Sequence, residues 1–293
     1  MKYIDKTKGK AWAHAILKNF LDRYSENGIP FPQNLYDRLR DDRSDGVNTF
    51  QVFSENILHE NECRCCYCMR TIRKNEFSQR YPLTLEHVVL NSVENKEEYD
   101  RYFELPSELE NKDMILTSDF LKQTEVSYPP FPHRIAYENL IPSCMGTFPG
   151  SNKSLTCNNK RSNEFVPPLV FRKKIEEEII FYHTGEMVWT KETGENGDYK
   201  SYINTLGLND INLMIIRSMW YYLCTENLDC NIENREYILR VIDAEIDEDN
   251  EQGKLLLEKM KLFKKDEYWN LLKDFEYFNN KDIFKATSKN STF

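Results

Sequence analysis

No apolar run in this chain of 293 residues reaches membrane-spanning length, and neither an internal repeat nor a low-complexity tract interrupts it. The first ten residues, from Met1 to Lys10, carry charges with no apolar stretch behind them. No secretory leader is therefore expected, and a cytoplasmic location is. Positive charge is in short supply as well: 39 Lys and Arg stand against 48 Asp and Glu, a formal net charge of −9. Taken over the whole chain, that balance argues against a nucleic-acid partner. Hydrophobic residues make up 40% and charged residues 30%, which excludes a disordered chain and points to a soluble, globular one. The length allows a sizeable core.

The charge is unevenly spread. Residues 63–80 carry Arg64, Arg70, Arg73, Lys74 and Arg80 against Glu76 alone. Residues 151–174 carry Lys153, Lys160, Arg161, Arg172, Lys173 and Lys174 against Glu164 alone. Residues 226–251 hold ten acids and two arginines, and this segment is expected to face away from any phosphate, toward a protein partner. The cysteines are uneven too. Of eight, Cys63, Cys65, Cys66 and Cys68 fall within six residues, too close together to staple distant parts of a fold. In a cytosolic chain that spacing marks a metal site or a redox pair. Cys224 and Cys230 lie in helical sequence and read as small buried residues.

Apolar periodicity predicts helices at both ends. Ala13, Leu17, Phe20 and Tyr24 share one face of a helix that ends by Gly28 and Pro30. Further helices are expected at 33–41 and at 47–60, the latter with Phe50, Phe53 and Ile57 inward. Thr84–Val89 favours a strand, and Asn139–Ser143 is a matching partner. Between them, 91–134 reads as a charged insertion with helices near 95–104 and 113–122. Met145–Thr156 is a loop, and a short helix starts near Cys157 and stops before Pro167. Ile179–Trp189 reads as a hairpin turning at Thr184-Gly185. The remainder is helical, with Leu213, Ile216, Trp220 and Leu223 on one face, Leu256, Met260 and Phe263 on another, and Tyr268, Leu272, Phe275 and Phe278 on a third. The last ten residues are expected to fray.

Four thiolates suit a structural Zn²⁺, tetrahedral and closed to water. Cys65 and Cys68 supply the first half of such a knuckle, and Cys144 and Cys157 the second. Cys63 and Cys66 offer a rival register. Glu86 and His87 lie between the halves. His is suited to take a proton from water near neutral pH, a carboxylate suits Mg²⁺, and an Asn oxygen can complete the ion's shell. Adjacent strand residues point to opposite faces, so a bulge or a strand end is needed to aim both at one site. His14, His59, His133 and His183 have no partner by spacing and read as structural; His133, just before the second strand, is the one to reconsider.

At these residues the chain resembles the HNH (His-Me finger, ββα-metal) endonucleases. The matching pattern is Cys65-x-Tyr67-Cys68, Glu86-His87, Asn139-Leu140-x-x-Ser143-Cys144 and Cys157-Asn158-x-x-Arg161. It is most similar to the nuclease subunits of Septu-type anti-phage systems, and Ile203–Asn209 with Leu213 and Arg217 resembles a segment that follows the motif there. The core resemblance covers about 63–167. It implies an α+β fold: a ββα-metal core with a four-Cys zinc knuckle, embedded in N- and C-terminal helical regions. The corresponding parts are 1–62, 63–175 with the 91–134 insertion, and 176–293. It implies His87 as general base, Glu86 and Asn158 on a catalytic Mg²⁺ or Mn²⁺, Asn139 holding the loop that bears the histidine, and Lys160 or Arg161 on phosphate. Asn159 competes with Asn158, and Leu90 stands where the family often has proline. The implied function is cleavage of nucleic acid, DNA ahead of RNA, with an ATPase subunit as partner and activity rising through pH roughly 6–7 as an imidazole loses its proton. The rival reading is a catalytically inactive zinc module that binds nucleic acid or protein.

Overall fold

The computed structural model describes residues 1–25, 34–44, 46–78, 80–102, 118–119, 129–150, 155–190, 199–246 and 251–285. The chain is α+β, with helices packed around small sheets. Three helices open it: α1 (Lys10–Ser25), α2 (Leu35–Asp41) and α3 (Thr49–Glu60). Ala13, Leu17 and Phe20 on α1 and Phe53 and Ile57 on α3 are buried, as their helical spacing predicts. Phe50 is only half-buried. The third helix starts two residues later than expected. Asn48 is its cap, accepting the Gln51 N–H, and Asn48 itself belongs to a short ladder of β1 (Arg43–Ser44) with β2 (Val47–Asn48).

The central element is an antiparallel ribbon of β3 (Leu83–His87) and β6 (Leu140–Cys144). Its register runs without a skipped residue from Leu83 opposite Cys144 to His87 opposite Leu140. The expected pairing is present, shifted because Tyr137–Asn139 form a 3-10 turn before β6. In the insertion, α4 (Lys96–Arg101) is capped by Asn95. The helix expected near 113–122 lies largely outside the described residues. Its two described residues, β4 (Ser118–Asp119), pair in parallel with β5 (Phe131–Pro132).

After β6 come α5 (Cys157–Arg161), α6 (Ile175–Glu178) and the expected hairpin of β7 (Ile179–Tyr182) with β8 (Met187–Trp189). Late in the chain β9 (Phe284–Lys285) joins β7 in parallel. Among the described residues five α-helices intervene: α7 (Tyr199–Thr205), α8 (Ile211–Thr225), α9 (Ile232–Asp243), α10 (Glu251–Met260) and α11 (Asp266–Leu271). The three apolar faces read from this region are all buried. The acidic stretch forms α9, which packs on α8 through Ile238, Leu239 and Ile242; residues 247–250 fall outside the described residues, as do 286–293, most of the tail expected to fray. Among the described residues no helix is long and apolar enough to cross a membrane.

Two apolar clusters lie on either side of the ribbon. One holds α1, α2 and α3 with Leu85 and Leu140. The other, larger, holds Ile141, Val88, Val89 and the Cys-rich segment with the C-terminal helices. The alternation of a strand sorts side chains between the two.

Arg217, on α8, ties three segments together. It is buried, and donates to Gly185 O at 3.0 Å and to Leu208 O at 2.6 Å. Asn209 pairs both ways with the Met187 backbone, and Cys157 N–H donates to Leu206 O at 2.7 Å. Gly185 must be glycine: its φ is +78°, and a Cβ there would lie 1.8 Å from Met214 O. Replacing Arg217 with Met keeps the apolar stem and leaves two buried carbonyls unpaired, at about 1–3 kcal/mol each. Thermal melts should show Arg217→Met several degrees below wild type, and an unchanged Tm would refute this role.

Candidate metal centre and the flanking ribbon

Residues 63–72 fold into a tight hairpin. Ile72 N–H donates to Cys63 O at 2.7 Å and Cys65 N–H to Arg70 O at 2.8 Å, with Arg64 bridged to Thr71. Met69 takes a left-handed φ of 66°, which reverses the chain directly after Cys68. The hairpin docks on the ribbon through Cys66 N–H to Pro142 O at 2.9 Å. The other half of the site forms where β6 ends. Gly146, at φ +65°, directs its N–H to Cys144 Sγ at 3.4 Å, and a Cβ on it would sit 2.1 Å from Thr156 O. That close approach brings Cys144 to Cys157 across the intervening loop.

The sulfurs of Cys65, Cys68, Cys144 and Cys157 all lie within 4.8 Å of one another, and all four residues are buried. Cys65–Cys157, Cys68–Cys144 and Cys144–Cys157 are each 3.7 Å apart. A tetrahedron with Zn–S bonds of ~2.3 Å has edges of about 3.8 Å. The four thiols could therefore hold a metal ion such as zinc. The rival register is not the one assembled: Cys63 is half-buried beside His59 Nδ1 at 3.2 Å, and Cys66 stands outside the four. Among the described residues this is the only such gathering of three or more His, Cys, Asp or Glu. Burial pushes the Cys65 thiol up, but hydrogen bonds from Cys144 and Cys157 outweigh it and hold Cys65 well below the usual thiol range. Burial, then the neighbouring sulfurs, pushes Cys157 well above it. One thiolate thus forms easily and further ones need a cation among them.

Beside this centre lies a buried ion pair. Arg161, at the end of α5, is fully buried. It bonds the Glu86 carboxylate through Nη1, and donates to His87 O at 2.9 Å, Val88 O at 3.1 Å and Glu164 O at 2.9 Å. The phosphate role expected of Arg161 does not match this placement, because its guanidinium is enclosed by the chain it holds. Lys160 is exposed. Burial pushes the Glu86 carboxyl above the usual carboxylate range, and Arg161 pulls it back.

His87 stands on the opposite face of β3. Its ring packs edge-on against Tyr36, centroids 4.5 Å apart, and Nε2 lies 2.8 Å from Arg134 O. A carbonyl can only accept, so Nε2 carries the proton and Nδ1 is the basic nitrogen. Burial lowers the imidazole pKa to about 4. The strand has no bulge, so Glu86 and His87 diverge as regular alternation requires.

Asn139 is fully buried and clamps the segment after His87. Its Oδ1 accepts Val89 N–H at 2.7 Å, and Nδ2 donates to Val89 O at 2.9 Å and His133 O at 2.8 Å. His133 is buried with its ring 5.9 Å from Tyr99. Its pKa is lowered to about 3 by burial, then by the charges of Arg134 and His87. Its chain neighbour Arg134 offers the carbonyl that His87 meets, which spacing alone does not show. Asn158, half-buried in the first turn of α5, donates its N–H to Ser143 Oγ at 3.4 Å, and its side chain makes no hydrogen bond among the described residues. Asn159 Nδ2 instead donates to Met145 O at 2.8 Å. No hydrogen bond joins Asn158 to Glu86 or His87 among the described residues. No family model, curated protein or solved structure matches the chain.

Protein purified without chelator should contain one zinc per chain, measured by elemental analysis. Cys144→Ser should lose most of it and unfold at lower temperature, since structural metal binding is folding energy; full zinc with unchanged stability would overturn the ligand set. A second expectation concerns pH. The folded-state pKa values of His87 and His133, about 4 and about 3, lie below the ordinary value near 6.5. Their contribution to stability is complete above pH ~6.5 and is lost as the pH falls toward 4. The fall in Tm over that window should shrink in His133→Gln relative to wild type, with zinc content followed in parallel.

Proposed function

We propose that this chain is an HNH-type endonuclease that hydrolyses nucleic-acid phosphodiester bonds, DNA ahead of RNA, as the effector of an anti-phage system with an ATPase partner. The observation that carries this reading is a strand–strand–helix unit held around four thiols, with His87 at the end of the first strand and Asn139 fastening the residues that follow it. In this reading the zinc is structural. His87 Nδ1 takes the proton of the attacking water while Arg134 O holds Nε2–H and fixes the ring. Lys160 lies exposed on α5, where it can meet a phosphate. The water oxygen bonds to phosphorus as the P–O3′ bond breaks, and the leaving 3′ oxygen takes a proton from solvent, giving a 5′ phosphate and a 3′ hydroxyl.

The family resemblance also supplies a divalent ion, Mg²⁺ or Mn²⁺, on Glu86 and Asn158. The residues do not fit that ion as they stand: the Glu86 carboxylate is paired with Arg161, on the face of the strand away from His87. This same ion pair favours the second reading, a catalytically inactive zinc module that binds nucleic acid or protein.

Plasmid and total RNA, each incubated with the protein and Mg²⁺ or Mn²⁺, with and without a co-purifying partner, separate the two. The nuclease reading expects nicking, and expects His87→Ala to slow it by roughly 10²–10⁴-fold with zinc content intact. With the imidazole pKa at about 4, the rate should already be level between pH 6 and 8, unlike the rise through 6–7 that an ordinary histidine implies. Full cleavage by His87→Ala would refute the mechanism. No cleavage by the wild type under any of these conditions would favour the inactive module.

A further inference from the structure

Phe77 is 96% exposed, far more than any other large apolar side chain described. It is held out by a defined turn. Asn75 Oδ1 accepts the N–H groups of Phe77 and Ser78 at 3.0 and 2.8 Å, and Asn75 N–H donates to Arg80 O at 2.7 Å. The same turn delivers Arg80 and Tyr81 to the wall of a cleft of about 370 Å³, with Lys74 Nζ 5.9 Å from the Tyr81 ring.

The opposite wall comes from the N-terminal region, with Arg40 on α2, Arg43 on β1 and Phe50 on α3. Asp41 and Glu55 also line the cleft. Arg40 is paired with Asp37 at 3.1 Å and with Asp41 at 3.9 Å, and Glu55 accepts from Gln51 at 2.9 Å. Arg43 and Arg80 make no ion pair among the described residues, and both are exposed. The floor includes Leu83 and Leu85, and these share a strand face with His87. Residues two apart on a strand are separated by roughly 6.5–7 Å. The cleft therefore ends one such step from His87. Phe50 leads there too, edge-on to Tyr36 at 5.6 Å, which is edge-on to His87.

We propose that this cleft binds a single strand of nucleic acid, with phosphates on Arg43 and Arg80 and an unpaired base stacked on Phe77. The proposal rests on the nucleic-acid reading above and places the strand on the His87 face. Phe77 stands outside the cleft lining, three residues before Arg80, which belongs to it. An exposed aromatic next to a basic groove is an arrangement that grips single strands: stacking tolerates any base, and the cations follow the backbone. The volume suits a ligand of about nucleotide size and excludes a duplex.

The test uses full-length His87→Ala protein, so that the strand is not cut, and fluorescence anisotropy with a labelled single-stranded oligonucleotide and its duplex. The single strand should bind more tightly than the duplex. Phe77→Ala should weaken single-strand binding by roughly tenfold. Arg43→Gln with Arg80→Gln should lower the slope of log affinity against log salt by about 1.4, the loss of two phosphate contacts. All three positions are exposed, so zinc content and Tm should match the parent. Unchanged affinity and slope in both variants would overturn the proposal, as would preference for the duplex; if the wild type still cleaves, the nuclease reading survives that result. Weakened binding in the variants without cleavage by the wild type would support the cleft and sink the nuclease.

Discussion

Four sulfurs enclosed by protein and separated by less than 5 Å impose a condition that the segments around them obey. Thiolates cannot share so small a buried volume without a cation, and the segments that carry them must meet for one to bind. Meeting brings the 63–72 hairpin onto the ribbon, closes the loop after β6, and sets the start of α5. The position of α5 then places Arg161, whose guanidinium holds Glu86, His87 and Val88 from behind. The strand that carries the histidine is thus positioned by the thiol centre, one helix removed.

The ribbon itself divides the molecule. Its period of two sends Glu86 into the larger cluster beside Arg161 and His87 toward the N-terminal helices beside Tyr36. An imidazole and a carboxylate adjacent in sequence therefore lie in separate environments. Burial keeps the imidazole neutral across the physiological range, while the carboxylate is committed to an ion pair. Breaking such a pair by removing one partner is strongly unfavourable because the survivor is left charged and enclosed. The segment before the Cys-rich hairpin consequently belongs to the histidine's surroundings, supplying Tyr36 and Phe50, and with Arg40 and Arg43 it forms one wall of the neighbouring cleft.

Much of the architecture was legible in local pattern. Helical stripes on α1, α3, α8 and the last helices, the Ile179–Trp189 hairpin and the β3–β6 pairing all follow from periodicities that a few residues express. The clustering of cysteines points to a metal site or a redox pair, and the meeting of four sulfurs from three segments favours the metal. The rest depended on partners far along the chain. Arg161 reads as a surface cation next to Lys160, yet it meets Glu86 across 75 positions. His133 gives no spacing signal, yet its carbonyl is held by Asn139 and the next carbonyl, Arg134 O, meets His87. Arg217 stands out in the sequence only within a resembling segment, and its carbonyl partners come from two separate turns.

What the amino-acid order determined alone was thus the inventory: which segments are helix or strand, which face of each is apolar, and which side chains can bind a metal. Those properties arise within a turn or two of backbone. Only the tertiary structure decided that Cys65 and Cys68, and not Cys63 and Cys66, join Cys144 and Cys157, and that Glu86 and His87 part company. Both outcomes turn on which face of a strand or hairpin meets which cluster. A shift of one residue reverses that face, and long-range packing is what selects it.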